Sequence, residues 1–344
     1  MALPTTQSFA EIAASIDITE ARHVRHGGQN LMQTADGALP PNVSEITLRQ
    51  TLQNLVYQVY YCRDTEPLLL HPTEFVFSRV KNRTDFIIKL RASNTSCERW
   101  DKDWRIETID QWGGGMWVTK SGWRRAAAPG DYIREKPHQP VEEGALVRFY
   151  VRNESEPGPE DGFYFVFGET LGDENPSQTV RFYFHLQPEG ALMLVGLLSA
   201  HLNAFQIPFQ FKCLADPDAY HRCDVAVLYV DKRYAQICSE VLAGLVYPEI
   251  QAALQEGEPA WTLPLAEGIG FAENPPNPAE SFGMNRSRLI VQGIMNAFQN
   301  KLPKTQWAAA IEAEFTQRNF NLDRLYLNPF SHFPYNFDAW KIYQ

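Results

Sequence analysis

Apolar and polar positions alternate most sharply between Val180 and Tyr229. In Val180–Leu186, Val180, Phe182, Phe184 and Leu186 share one parity, and Arg181, Tyr183 and His185 share the other. A period of two is the signature of a half-buried strand. Its second face carries three side chains able to donate protons or bind anions, about 7 Å apart at the usual strand rise. Glu189–Phe205 follows with a broad apolar helical face, and Pro208 ends it. Pro208–Leu214 reads as a second strand, with Lys212 opposite in parity to Phe209 and Phe211. Val225–Tyr229 reads as a third, preceded by Arg222-Cys223-Asp224.

Elsewhere the spacing predicts helices over 8–20, Ile46–Arg63, Tyr234–Leu254, Phe282–Ala297 and Thr305–Arg318. Pro248 should kink or split the third of these. Tyr57, Tyr60 and Tyr61 are expected to pack at the end of the second. Strands are predicted at Phe86–Ala92, Trp100–Ile109, Gly115–Lys120, Asp131–Arg134, Leu146–Arg152 and Gly162–Gly168, with turns at Asp101–Asp103 and Gly113–Gly115. Residues 21–45, 154–161, 171–178 and 256–280 read as loops. The aromatic tail Leu325–Gln344 is expected to pack on the body. Together these give an α+β fold of mixed or antiparallel sheets packed with helices. A loose division falls at the Pro/Gly-rich run. It leaves an N-terminal α/β region, 1–155, and a second region, 156–344, either separate from the first or continuous with it.

Composition narrows the function. The chain has 344 residues, 44% hydrophobic and 21% charged, so most of it can bury a core. A net charge of -10 disfavours general nucleic-acid binding. The five cysteines (Cys62, Cys97, Cys213, Cys223 and Cys238) are odd in number and lack a C-x-x-C pair. That pattern suits reduced thiols in a cytoplasmic protein. No signal-peptide pattern and no run of eighteen apolar residues occurs, so no membrane role is expected. Phosphate-loop and dinucleotide-binding glycine motifs are missing, which disfavours kinases and dehydrogenases. His23-x-x-His26 has no further ligand nearby in sequence, and no metal is assigned. No G-x-S-x-G occurs, and Cys213 sits on the apolar parity of its strand.

A set of cations remains: Arg181, Lys212, Arg222, Arg286 and Arg288. Two readings are open for them, scattered salt bridges or a phosphate pocket. Guanidinium forks suit phosphate. A lysine among arginines loses basicity and can serve as a base near neutral pH. Arg286 follows Ser281-Phe282-Gly283 at a helix start, where backbone N–H groups favour an anion.

Several words of the chain resemble the HopA-type effector family of type III secretion. They are Asp161–Tyr164, Val180–Leu186, Pro208–Leu214, Arg222–Tyr229, Gly268–Glu273 and Ser281–Arg288, with the helix Leu48–Tyr61 fitting the family's N-terminal region. The family includes lyase components of class V lanthipeptide and thioamitide biosynthesis. Those work with a separate aminoglycoside-phosphotransferase-like kinase that phosphorylates a precursor peptide. More remotely, the order of elements is similar to that of bacterial phosphothreonine lyases, which implies a lyase-like C-terminal part. Laid on this chain, that resemblance puts the base at Lys212, phosphate-binding groups at Arg222 and Arg286, Tyr229 at its strand end, and the acid at His185. Tyr183, which stands where those lyases carry a lysine, is the other candidate catalytic donor to the bridging oxygen. Arg181 and Arg288 are further candidates for the substrate phosphate.

The resemblance implies β-elimination of phosphate from phosphoserine or phosphothreonine, giving dehydroalanine or dehydrobutyrine without a metal or other cofactor. The implied partners are a phosphorylated precursor peptide and a kinase. The alternative is a non-catalytic protein that binds a peptide or a kinase.

Overall fold

The computed structural model describes residues 5–32, 38–64, 77–110, 115–121, 123–155, 162–172, 176–277, 280–332 and 334–343. Gly113, Gly114, His71 and most of the expected loop at 154–161 lie outside them. Among the described residues, three antiparallel sheets are packed with eight α-helices, an α+β architecture as the sequence patterns imply.

The first sheet is small: β1 (Ile16–Ile18), β2 (Val24–His26) and β3 (Gln29–Asn30). The second has five strands: β4 (Arg99–Ile109), β5 (Met116–Lys120), β6 (Trp123–Ala127), β7 (Tyr132–Arg134) and β8 (Leu146–Val151). The third has seven: β9 (Glu154–Ser155), β10 (Phe163–Phe167), β11 (Thr179–Phe184), β12 (Gln210–Leu214), β13 (Ala226–Asp231), β14 (Leu263–Ala266) and β15 (Ile269–Glu273). Its order is β14-β15-β11-β13-β12-β10-β9, which places the opening strand β11 in its interior.

The helices are α1 (Thr5–Ser15), α2 (Glu45–Leu55), α3 (Phe77–Ser93), α4 (Pro188–Ala204), α5 (Ala235–Val241), α6 (Tyr247–Ile250), α7 (Phe282–Gln299) and α8 (Trp307–Thr316). Two of them start on serine caps. The Ser44 hydroxyl accepts from the Thr47 N–H, and the Ser281 hydroxyl from the Met284 N–H. One face of the seven-stranded sheet buries Phe182, Phe184, Phe211 and Leu228 against Leu194, Leu198 and Leu202 of α4. A second core joins α1 and α2 to α7 and α8 through Phe9, Leu48, Leu52, Ile290, Ile294 and Phe315. The five-stranded sheet keeps a core of its own around Trp104, Ile106, Met116, Val118 and Val147.

Five sequence expectations are corrected. Phe86–Ala92 is not a strand but the end of α3. Phe86 and Leu90 are buried one helical turn apart while Ile88 points outward, and a short apolar run does not separate the two periods. Asp101–Asp103 is not a turn but an irregularity inside β4, where the register to β8 shifts and Asp103 has φ +65. Residues 256–280 are not all loop, since β14 and β15 form a hairpin turned at Gly268, whose φ is +70. The first helix ends at Ser15 and continues as β1, and the expected loop 21–45 contains β2 and β3.

Pro248 does interrupt its helix: α5 passes into a wide π-type turn at Leu242–Val246 before α6. The tail packs as expected, with Trp340 fully buried against Tyr247 and its indole N–H donating to Ser239. Among the described residues, no helix is long and apolar enough to cross a membrane.

Candidate active site on the second face of the seven-stranded sheet

Strand register brings four of the singled-out residues onto one face. Tyr183, Val227, Lys212 and Phe165 form one row across β11, β13, β12 and β10. Arg181, Tyr229, Gln210 and Phe167 form the next. Residues paired directly across strands point to the same side. The parity reading of Arg181 and Tyr183 therefore extends over three further strands.

The face differs from the sequence reading in one respect. β11 is buried on both sides, with Arg181 only 6% and Tyr183 only 1% exposed. Helices cause this. α2 runs into a π-type turn at Val56–Tyr61, and that turn, with the start of α7, roofs the strand. The Tyr61 and Tyr183 rings both pack on Phe282, at 6.1 and 6.3 Å between centroids. A Cβ at Gly283 would lie 2.2 Å from the Tyr61 ring, so only glycine fits beneath that roof.

Beneath it, Arg181 donates through Nε and Nη2 to the Asn274 side-chain Oδ1 and through Nη1 to the Tyr183 hydroxyl. Its guanidinium lies 5.0 Å from the Tyr229 ring centre. Arg286 is fully buried between the rings of Phe282 and Phe320, at 4.6 and 4.5 Å. It donates to the carbonyl oxygens of Leu325 and Leu327 and to the Asn285 side chain. Burial pulls its pKa down to about 9, so it keeps its charge at neutral pH. Among the described residues neither guanidinium forms an ion pair; each is held by neutral acceptors.

Arg222 is arranged differently. It forks onto Asp224, with Nη2 at 2.8 Å from Oδ2, and also reaches the Tyr57 hydroxyl and the Cys62 sulfur. Burial works against the Asp224 charge, but the Arg222 guanidinium outweighs it and holds the carboxyl below its usual range. Asp224 also feels Lys212. Lys212 itself is half-buried and makes no hydrogen bond or ion pair among the described residues. Its ammonium lies 3.9 Å from the centre of the Phe163 ring and 6.0 Å from that of Tyr229.

His185 stands one step past the end of β11. Its Nδ1 lies 2.9 and 3.0 Å from the carbonyl oxygens of Glu256 and Gly257. Carbonyls only accept, so Nδ1 carries the proton and Nε2 the lone pair. Burial lowers the His185 pKa, which keeps this neutral form at neutral pH. The ring lines a cleft of about 570 Å³ with Arg63, His221, Cys223 and Gln255. His221 pairs there with Asp64 at 2.6 Å. Burial pushes the Cys223 thiol up to about 12, the state of an inert thiol. Arg288 stands on the exposed side of α7, paired with Glu280.

Sequence reasoning missed Tyr57, Cys62, Asp224 and Asn274 as neighbours of the cations. Tyr57 and Tyr61 were expected only to pack. The available signal was Asp224 two residues after Arg222. The π-type turn that aims Tyr57 and Tyr61 has no such trace.

No curated protein matches the chain. Among solved structures, it is similar to the effector protein from Pseudomonas syringae pv. tomato strain DC3000, at 16% identity and a TM-score of 0.47, over 94% of this chain and 97% of that one. It is likewise similar to the effector protein from Pseudomonas syringae pv. syringae strain 61, at 13% identity and a TM-score of 0.47, over 96% and 99%. A family model described as the HopA1 effector protein family matches residues 155–327. That span is just over half of the 344 residues and carries β10 to β15, Lys212, Arg222 and Arg286, so the chain belongs to the HopA1 effector protein family.

Proposed function

We propose that the protein is a phosphoserine or phosphothreonine lyase acting on a phosphorylated precursor peptide. The observation that carries this reading is Lys212: a half-buried ammonium without a partner among the described residues, on the sheet face of Arg181 and Tyr229 and close to the Arg222–Asp224 pair. In its neutral form Lys212 takes the Cα proton. The Cα–H electrons become the Cα=Cβ double bond, the Cβ–O bond breaks, and phosphate leaves with its electron pair. Nη1 of Arg222 makes no hydrogen bond among the described residues, and in this reading it binds the departing phosphate. Arg181 and Arg286 add positive potential from beneath, where low dielectric strengthens it.

The leaving phosphate needs its charge neutralised more than it needs a proton. His185, the acid implied by the family resemblance, gives one only when protonated, so its help grows toward acidic pH. Such acid–base terms are each worth about 10² to 10⁴ in rate.

The test is mass spectrometry of a phosphoserine peptide and a phosphothreonine peptide incubated with the protein alone. Loss of the mass of phosphoric acid, abolished by Lys212→Ala in a protein that still melts cooperatively, supports the lyase. The burial of Arg181 and Tyr183 favours a second reading, a protein that holds a phosphopeptide without cleaving it. Binding with no change of mass selects that reading.

A further inference from the structure

β10 breaks the usual rule for an antiparallel strand. Tyr164 and Val166 point into the main core, yet Phe163, Phe165 and Phe167 on the opposite side are apolar too and only half-buried. A strand with one partly solvated face ordinarily alternates apolar with polar. Three partly buried phenylalanines in a row, of which Phe163 also touches the main core, form an apolar patch that calls for an occupant.

Their position says which one. Phe165 is the direct cross-strand partner of Lys212, and Phe167 that of Gln210. The Phe165 and Phe167 rings stack at 6.5 Å and 17°. Phe163 lies under the Lys212 ammonium at 3.9 Å. The shelf therefore continues, without a break, from Lys212, which has no anionic partner within ion-pair distance among the described residues. An occupant that satisfies both features carries an anion and a bulky apolar group a short distance apart. In an extended peptide, alternate side chains on one face are about 7 Å apart. That matches the step from Phe165 to Phe167 along the strand.

We infer that Phe163, Phe165 and Phe167 form a specificity shelf that takes a bulky apolar side chain of the substrate peptide, two or three residues from the phosphorylated one. The inference rests on the lyase reading for the identity of that peptide, but it concerns binding and is measured as binding.

The experiment uses the full chain and fluorescein-labelled phosphoserine peptides in fluorescence anisotropy. One series carries Leu or Phe at each position within three residues of the phosphoserine, and the other carries Ala throughout. The apolar series binds about tenfold more tightly at its best position, the scale of one apolar side chain in a pocket. Phe165→Ala and Phe167→Ala, each checked by thermal melting, bring the ratio of the two affinities toward one. Equal affinity in the wild type overturns the shelf, as does a preference that survives in both variants. The same samples are read by mass spectrometry. An affinity ratio with no loss of phosphate removes the lyase and leaves the shelf. Loss of phosphate with equal affinities removes the shelf and leaves the lyase.

Discussion

The five-stranded and seven-stranded sheets use the same residue types to opposite ends. On the five-stranded sheet, Arg124 pairs with Glu107 at 2.6 Å and lies 4.1 Å from the Trp117 ring, in the open. Arg152 pairs with Asp131 at 2.8 Å, also well exposed. Water screens such pairs, and each arginine has a carboxylate of its own. On the seven-stranded sheet, Arg181 and Arg286 are buried and held by amide and carbonyl oxygens. A buried charge without a counter-ion is costly in any fold. Here neutral acceptors offset part of that cost, and the buried Glu273 carboxylate acts on Arg286 from a distance. The difference teaches that an arginine's meaning lies in its partner and its depth, not in its presence on a strand.

The largest effect that tests this contrast is on turnover. Lys212→Ala lowers phosphate elimination by about 10² to 10⁴, followed by mass spectrometry, with the melting temperature little changed. Wild-type turnover in that variant would remove Lys212 from the chemistry.

Breaking a buried pair comes next. Asp224→Ala leaves the half-buried Arg222 without its carboxylate and costs about 3 kcal/mol in urea unfolding, the low end for breaking a buried pair. Arg124→Ala on the open sheet costs about 1 kcal/mol or less by the same measurement. Similar costs for the two would erase the distinction between the sheets. Acid adds a check on the same pair. The Asp224 carboxyl titrates below its unfolded value of 3.8, so its contribution is fully present above that pH. It is lost only as the pH falls further, through the depressed folded value.

A smaller effect follows from His185. Its folded pKa lies below the unfolded 6.5. The unfolded chain then binds more protons in the window beneath 6.5, and stability falls as the pH drops through it. His185→Gln flattens this part of the curve, read as the difference in melting temperature between pH 7.5 and 5.5. Arg63 and Asp224 act on the same ring, with opposite signs, and are unchanged in that comparison. The smallest effect is at Arg288, whose exposed pair with Glu280 contributes about 1 kcal/mol or less. Arg288→Ala leaves elimination unaltered in the same mass assay.

The elements around this face were legible because their periods are clean. Val180–Leu186 reads as a strand from seven residues, and the helix expected at Glu189–Phe205 appears as Pro188–Ala204. Parity alone placed Arg181 and Tyr183 together, and register then joined Lys212 and Tyr229 to them. Three things were not legible. Phe86–Ala92 is equally apolar as strand or helix, and tertiary packing decided. The β14–β15 hairpin hides among prolines and glycines, with Pro264 exposed on an edge strand where no ladder bond is lost. The depth of the polar face was hidden as well. It depends on a roof from residues 56–61 and 282–283, each far from β11 along the chain. No local pattern on β11 records that it is covered.

The Glu273 carboxylate is fully buried at the end of β15 and receives Lys232, the Asn328 N–H, Ser331 and Tyr335. Arg286 in turn needs the carbonyls of Leu325 and Leu327. One buried anion and one buried cation thus wait for the same stretch of chain. During synthesis, the sheet's strands emerge from the ribosome well before residue 335. Until that stretch follows, Glu273 lacks three of its four partners and Arg286 two of its three. The end of β15 and the packing of Arg286 under the roof therefore take their final form only once residues 325–335 have left the ribosome, and a nascent chain stalled before that point leaves both buried charges short of partners.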